Sequence, residues 1–160
     1  MVFVFALILT IVIFSPDFSS ATRVQRCNSN EKDTIDNQVF ISGCDEPPCK
    51  LQKNSTTNVE IIFEPGYDVS RLTTSVYAWV LSIPFPYLGI DGTSACSNLS
   101  LRNGTPTNCP IRKGVQYVYK NAVEIKAIYP KVKVILHWAL VDPRNNANVF
   151  CFEVPVKIIN

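Results

Sequence analysis

From residue 58 onward, apolar and polar side chains alternate with period two, and Pro, Gly or Asn breaks the pattern about every ten residues. That rhythm belongs to short strands joined by turns, as in sandwiches and barrels. Val59, Ile61 and Phe63 alternate with Glu60 and Ile62 before a turn at Glu64-Pro65-Gly66-Tyr67-Asp68. Residues 74–82 form a β-branched and aromatic run, and residues 114–120 alternate Val115, Tyr117 and Tyr119 with other side chains, so both read as strands. Val123, Ile125 and Ala127 alternate with Glu124, Lys126 and Ile128 until Tyr129-Pro130, where proline cannot donate to a ladder.

The clearest strand follows. Val132, Val134, Leu136, Trp138 and Leu140 share one face, while Lys131, Lys133, Ile135 and His137 point the other way. Asp142-Pro143-Arg144-Asn145-Asn146 supplies a turn, and Phe150, Phe152, Val154, Val156 and Ile158 face the core on the returning strand. With at least six strands and no helical periodicity, the economical fold is all-β: an immunoglobulin-like sandwich of two antiparallel sheets.

The N-terminus is different. MVFVFALILTIVIFSPDFSSA holds an apolar block from Val2 to Leu9 that resumes after Thr10 and ends near Phe14. The block is too short to span a bilayer comfortably. Ser19, Ser20 and Ala21 follow, so residues 1–21 read as a signal peptide and residues 22–160 as one domain. The n-region carries no Lys or Arg, which leaves an uncleaved anchor as the alternative. Removing the leader takes away Asp17 and no cation, so the formal charge of +2 becomes +3, far from the basic excess of a nucleic-acid binder.

Cys27, Cys44, Cys49, Cys96, Cys109 and Cys151 all fall in the mature part, and an even count on a secretory route points to three disulfides. Local spacing suggests Cys44 with Cys49 and Cys96 with Cys109, which leaves Cys27 for Cys151. A loop of that last length is worth about 5 kcal/mol in the chain-entropy account. Sequons at Asn54, Asn98 and Asn103 stand in polar, loop-like stretches and are candidate glycosylation sites.

Catalysis finds little to work with. The single histidine, His137, sits on the lysine-bearing face of its strand and reads as a surface or sheet-face residue. Oxidised cysteines offer no thiolate, no CxxC pair suggests zinc, and the spacing of Asp91, Glu124, Asp142 and Glu153 suggests no carboxylate pair. No enzyme, cofactor or metal is expected.

Ile83-Pro84-Phe85-Pro86-Tyr87-Leu88 cannot pair on both sides. Either the sheets splay there and leave an apolar cavity, or Phe85 plugs an ordinary core and the prolines protect an edge. Lys120, Lys126, Lys131 and Lys133 are similarly open between a solvated face and a membrane-docking one.

Taken together, Cys44-Asp45-Glu46-Pro47-Pro48-Cys49, Ile83-Pro84-Phe85-Pro86, Asn108-Cys109-Pro110-Ile111, Tyr129-Pro130 and Phe150-Cys151-Phe152-Glu153-Val154-Pro155-Val156 occur in an order that resembles the Niemann-Pick type C2 family of ML lipid-recognition domains. Arthropod members and the group 2 mite allergens are similar. The resemblance implies a β-sandwich with an apolar cavity between its sheets, and the same disulfide pairing. It implies Phe85, Ile125 and Tyr129 at the mouth, with Ile83, Val123, Val134, Leu136, Trp138 and Phe152 deeper. The implied partner is a hydrophobic small molecule, a sterol first and a fatty acid or semiochemical next. An innate-immune module presenting bacterial lipid is a further class. A monomer is expected, secreted or delivered to lysosomes, with transient membrane or receptor contact. The segment between Cys96 and Cys109 is longer than in sterol carriers, and is expected to neighbour the mouth as a glycosylated flap.

Overall fold

The structure, a computed structural model, describes residues 20–27 and 34–160. The leader assignment for residues 1–19 therefore lies outside the described residues. Twelve strands are seen among the rest: β1 (Val24–Arg26), β2 (Thr34–Ile35), β3 (Val39–Ile41), β4 (Cys49–Gln52), β5 (Ser55–Phe63), β6 (Thr73–Val80), β7 (Ile83–Pro86), β8 (Leu99–Leu101), β9 (Pro106–Thr107), β10 (Tyr117–Ile125), β11 (Lys133–Asp142) and β12 (Ala147–Ile159). One sheet runs β2-β1-β12-β11-β6-β7, with β4 also pairing β12; the other runs β3-β5-β10-β8-β9. All pairs are antiparallel except β4 with β12, which is parallel. The two sheets make the sandwich that the alternation predicts.

Two strands read from sequence as separate are one. β10 runs unbroken from Tyr117 to Ile125, and Ala127 lies exposed beyond its end, in the turn where the Tyr129 amide donates to the Lys126 carbonyl. The segment after β6 behaves as its prolines require. A two-residue turn at Leu81 and Ser82, both at positive φ (48° and 67°), sends β7 back along β6, its only ladder partner among the described residues. β7 is thus a sheet edge.

The interior divides into two parts. At one end Phe63 meets Tyr117 (6.0 Å between centroids) and Phe150 (6.4 Å), and Phe150 leads through Phe152 to Trp138, stacked on Phe152 with 6° between planes. Beyond Trp138 the packing is aliphatic. The disulfides are Cys27–Cys151, Cys44–Cys49 and Cys96–Cys109.

His137 takes the outer sheet-face position expected of it, but is not at the surface: only 8% of it is exposed. Tyr77 of β6 stacks on its ring at 4.3 Å, Glu153 of β12 holds Nδ1 at 3.1 Å, and both sulfurs of the Cys27–Cys151 bridge lie within 3.6 Å of its nitrogens. Neighbouring strands, not depth in the core, bury it. Those sulfur and nitrogen atoms lie within 4.8 Å of one another, but both sulfurs are committed to the disulfide.

Candidate functional site

Inward alternation on both sheets converges in the aliphatic part. The five-stranded sheet contributes Ile41, Val59, Val123 and Ile125; the seven-stranded sheet contributes Leu51, Val76, Leu136, Trp138 and Val156. Between them lies a cavity of about 40 Å³ with an apolar lining. That is far smaller than a lipid, so the space between the sheets is here a narrow apolar seam. Aliphatic side chains collapse across it because voids forfeit dispersion contacts.

One side of the seam leads outward. Cross-strand pairing sets Phe85 opposite Ala78 and Ile83 opposite Val80. Paired residues share a face, so Phe85 and Ile83 stand on the inner face of the sheet. Nonetheless they are 52% and 57% exposed, because the second sheet does not reach over the end of the β6–β7 hairpin. Tyr87, two residues on, lines the cavity itself. Ile83, Phe85 and Tyr87 therefore form an apolar lip running from solvent to the seam.

Tyr87 and Tyr129 close that lip. Their centroids are 5.4 Å apart, and the Tyr87 hydroxyl donates to the Glu124 carbonyl. Burial, with Tyr129 alongside, pushes the Tyr87 phenol well above its ordinary value. The Tyr129 hydroxyl is buried without a hydrogen-bond partner among the described residues.

Of the residues predicted from sequence, Val123, Ile125, Leu136 and Trp138 meet at the cavity. Phe85 and Tyr129 stand at its edge. Ile83 lies exposed at the outer end of the lip and outside this lining. Phe152 and Val134 are also absent from the lining. Phe152 is buried behind Trp138, and Val134 borders a groove with Pro47, Pro48 and Pro155. Tyr87, Leu51, Ile41, Thr57 and Val76 line the cavity without having been predicted. Tyr87 was within reach, because it continues the alternation of Ile83 and Phe85. Ile41 and Leu51 were not, since their strands span three and four residues.

The expected flap over the mouth is also corrected. Residues after Cys96 form a 3₁₀ turn (Cys96–Asn98) and the β8–β9 hairpin, with Leu101 opposite Tyr117. Tyr117 and Ile125 are opposite ends of β10, about 26 Å apart at about 3.3 Å per residue. The hairpin turn thus points away from the lip. Asn54 and Asn103 occupy exposed turns, whereas Asn98 is half-buried. Lys120 pairs with Glu60 at 2.9 Å, while Lys126, Lys131 and Lys133 are exposed near the β10–β11 turn.

Comparison with known proteins adds an independent finding. A family profile described as the ML domain matches residues 21–158. A mouse protein named NPC intracellular cholesterol transporter 2 is 31% identical over 158 residues, covering 98% of this chain and 97% of that one. The Drosophila melanogaster protein named NPC intracellular cholesterol transporter 2 homolog a is 32% identical over 145 residues, covering 88% and 90%. The Ecdysteroid-regulated 16 kDa protein of Manduca sexta is 33% identical over 122 residues, covering 75% and 78%. Among solved structures, a Niemann-Pick type C2 protein from the Japanese carpenter ant superposes with a TM-score of 0.65 at 23% identity, covering 76% of this chain and 89% of that one.

Proposed function

The chain belongs to the ML-domain family, and on that footing we propose that it is a lipid carrier housing a sterol or similar apolar molecule between its two sheets. The observation that carries this reading is the apolar seam at Val123, Ile125, Leu136 and Trp138, continued to the surface by the lip of Tyr87, Phe85 and Ile83. The cholesterol-transporter names of the mouse and fly relatives support the choice of ligand class.

An occupant parts the sheets at the aliphatic part of the core. Burying roughly 400 Å² of ligand surface is worth on the order of 10 kcal/mol before association and expansion costs, enough for micromolar binding or tighter. Phe85, Ile125 and Tyr129 guard the mouth. Ile83, Val134 and Phe152 join the lining as the seam widens, and the unpartnered Tyr129 hydroxyl receives the ligand's polar end.

No catalytic step belongs to this role. Residues 1–21 serve as a signal peptide and 22–160 as the carrier, supported by a family match that starts at residue 21. The protein acts as a secreted monomer, with the lysosome as the other destination. No helix among the described residues is long and apolar enough to cross a membrane. Exposed Ile128, Lys126 and Lys131 follow β10 and suit transient contact with a membrane or receptor during transfer.

Native mass spectrometry with organic extraction, on protein from a eukaryotic secretory host, tests the proposal. A one-to-one sterol adduct that weakens in Phe85→Ala is the expected result. Absence of any adduct, with no uptake from a mixed-lipid panel, overturns it.

A further inference from the structure

The outer face of the five-stranded sheet carries a second concave feature. Cross-strand pairing places Phe40, Glu60 and Lys120 in one row and Asn58 beside Ala122 in the next. Asn58 and Ala122 are short, whereas Phe40 and the Glu60–Lys120 ion pair are long, so the face sinks into a groove of about 580 Å³. Asn98, one of the three sequon asparagines, forms part of its wall.

The setting of Asn98 is specific. It ends the 3₁₀ turn, and its Nδ2 donates to the Lys120 carbonyl at 2.9 Å, while Ser97 Oγ donates to its Oδ1 at 3.2 Å. The first bond ties the amide to β10 beside the groove. It uses one of the two Nδ2 hydrogens and leaves the other without a partner among the described residues.

We propose that Asn98 carries an N-linked glycan whose first sugars lie in this groove. In the transfer, an oligosaccharide arrives on a polyprenyl diphosphate. A bond forms between sugar C1 and Nδ2 as the C1–O bond to the diphosphate breaks, and the proton that Nδ2 gives up leaves with the lipid diphosphate. The remaining Nδ2 hydrogen keeps its bond to Lys120. The apolar face of a sugar ring then packs on Phe40, and its hydroxyl and acetamido groups meet Asn58 and the Glu60–Lys120 pair. Lys120 is five residues from Ile125 along β10, about 17 Å, so the glycan covers the sheet without obstructing the lip.

Site-resolved glycopeptide mass spectrometry of the secreted protein, with hydrogen exchange and thermal melting, tests this seat independently of any lipid. The comparison is between the intact glycoform, the form trimmed to one N-acetylglucosamine, and Asn98→Gln. The expected result is an occupied Asn98, exchange about threefold slower around residues 40–42, 58–60 and 120–122 in the intact form, and a melting midpoint higher by roughly 2–4 °C. Phe40→Ala, or Ala122→Arg, which fills the groove floor, should abolish that gain while leaving Asn98 occupied. An unmodified Asn98, equal exchange and midpoint in all three forms, or a gain that survives both substitutions would overturn the proposal.

Discussion

Tyr87 and Tyr129 meet at 5.4 Å with 57° between their rings, and only one of the two hydroxyls is satisfied. Tyr87 donates to the Glu124 carbonyl, and Tyr129 reaches no partner among the described residues. The two tyrosines should therefore answer differently to loss of the hydroxyl. Tyr87→Phe forfeits a hydrogen bond, at about 1 kcal/mol. Tyr129→Phe removes a buried, unpaired group and should leave the ligand-free protein as stable or more so. Urea unfolding of the two variants checks the contrast; equal losses would contradict it.

Filling the seam separates binding from folding. Val123 lies on β10 facing the cavity, and Val123→Phe occupies the space a ligand must enter. Sterol affinity should fall at least tenfold, roughly 1.4 kcal/mol, while overpacking costs about 1–3 kcal/mol of stability. Leu136→Ala should cost about 2–4 kcal/mol without abolishing binding, since it enlarges the same space. Fluorescent-sterol titration alongside thermal melting distinguishes them.

The disulfides should differ in worth. Cys27–Cys151 spans a sequence separation of 124, and Cys44–Cys49 spans 5. In the chain-entropy account the long loop is worth about 5 kcal/mol and the short one about 2. Paired Cys→Ala variants, melted in denaturant, should rank in that order.

Acid should weaken the β11–β12 turn. The buried Asp142 carboxylate accepts bonds from Arg144 Nη2 (2.7 Å), Nε (3.1 and 3.2 Å) and backbone N (3.0 Å), which hold its carboxyl below the usual value. A depressed folded value means the contribution is present above the unfolded value, about 4, and is lost as pH falls through the folded one. Asp68 acts in the same sense, held down by the Lys113 amide and Arg112. Asp142→Asn should be less stable than wild type at neutral pH, and the gap should close below about pH 4. A gap that widens on acidification would contradict the assignment.

Much of this site was legible because strand alternation is local. Val123, Ile125, Leu136 and Trp138 face inward by a rule that needs only their neighbours. β10 shows where that rule fails. Asn121 breaks the apolar pattern, yet it stands in register between Tyr119 and Val123, and its amide donates to the Tyr119 hydroxyl at 2.8 Å. Burial pushes that phenol up to about 12 against the opposing pull of Asn121. A satisfied polar residue inside a strand reads as a break from sequence alone. The cavity's size was not legible either, since it depends on summed side-chain volumes across two sheets. Nor was the position of the β8–β9 hairpin, because nothing near Cys96 says which end of β10 it will pair with.

The divided interior fixes how the molecule can open. At one end, packed rings from Phe63 to Trp138 hold the sheets at a set spacing, and such rings have few alternative rotamers. At the other, aliphatic chains can rearrange. If a guest enters as proposed, the sheets would pivot about the aromatic end rather than part uniformly, like a clothes-peg whose spring is the ring cluster. Ligand shape would then be judged by angle as well as by volume: a wedge that tapers toward Trp138 would fit, and a slab of equal volume would not.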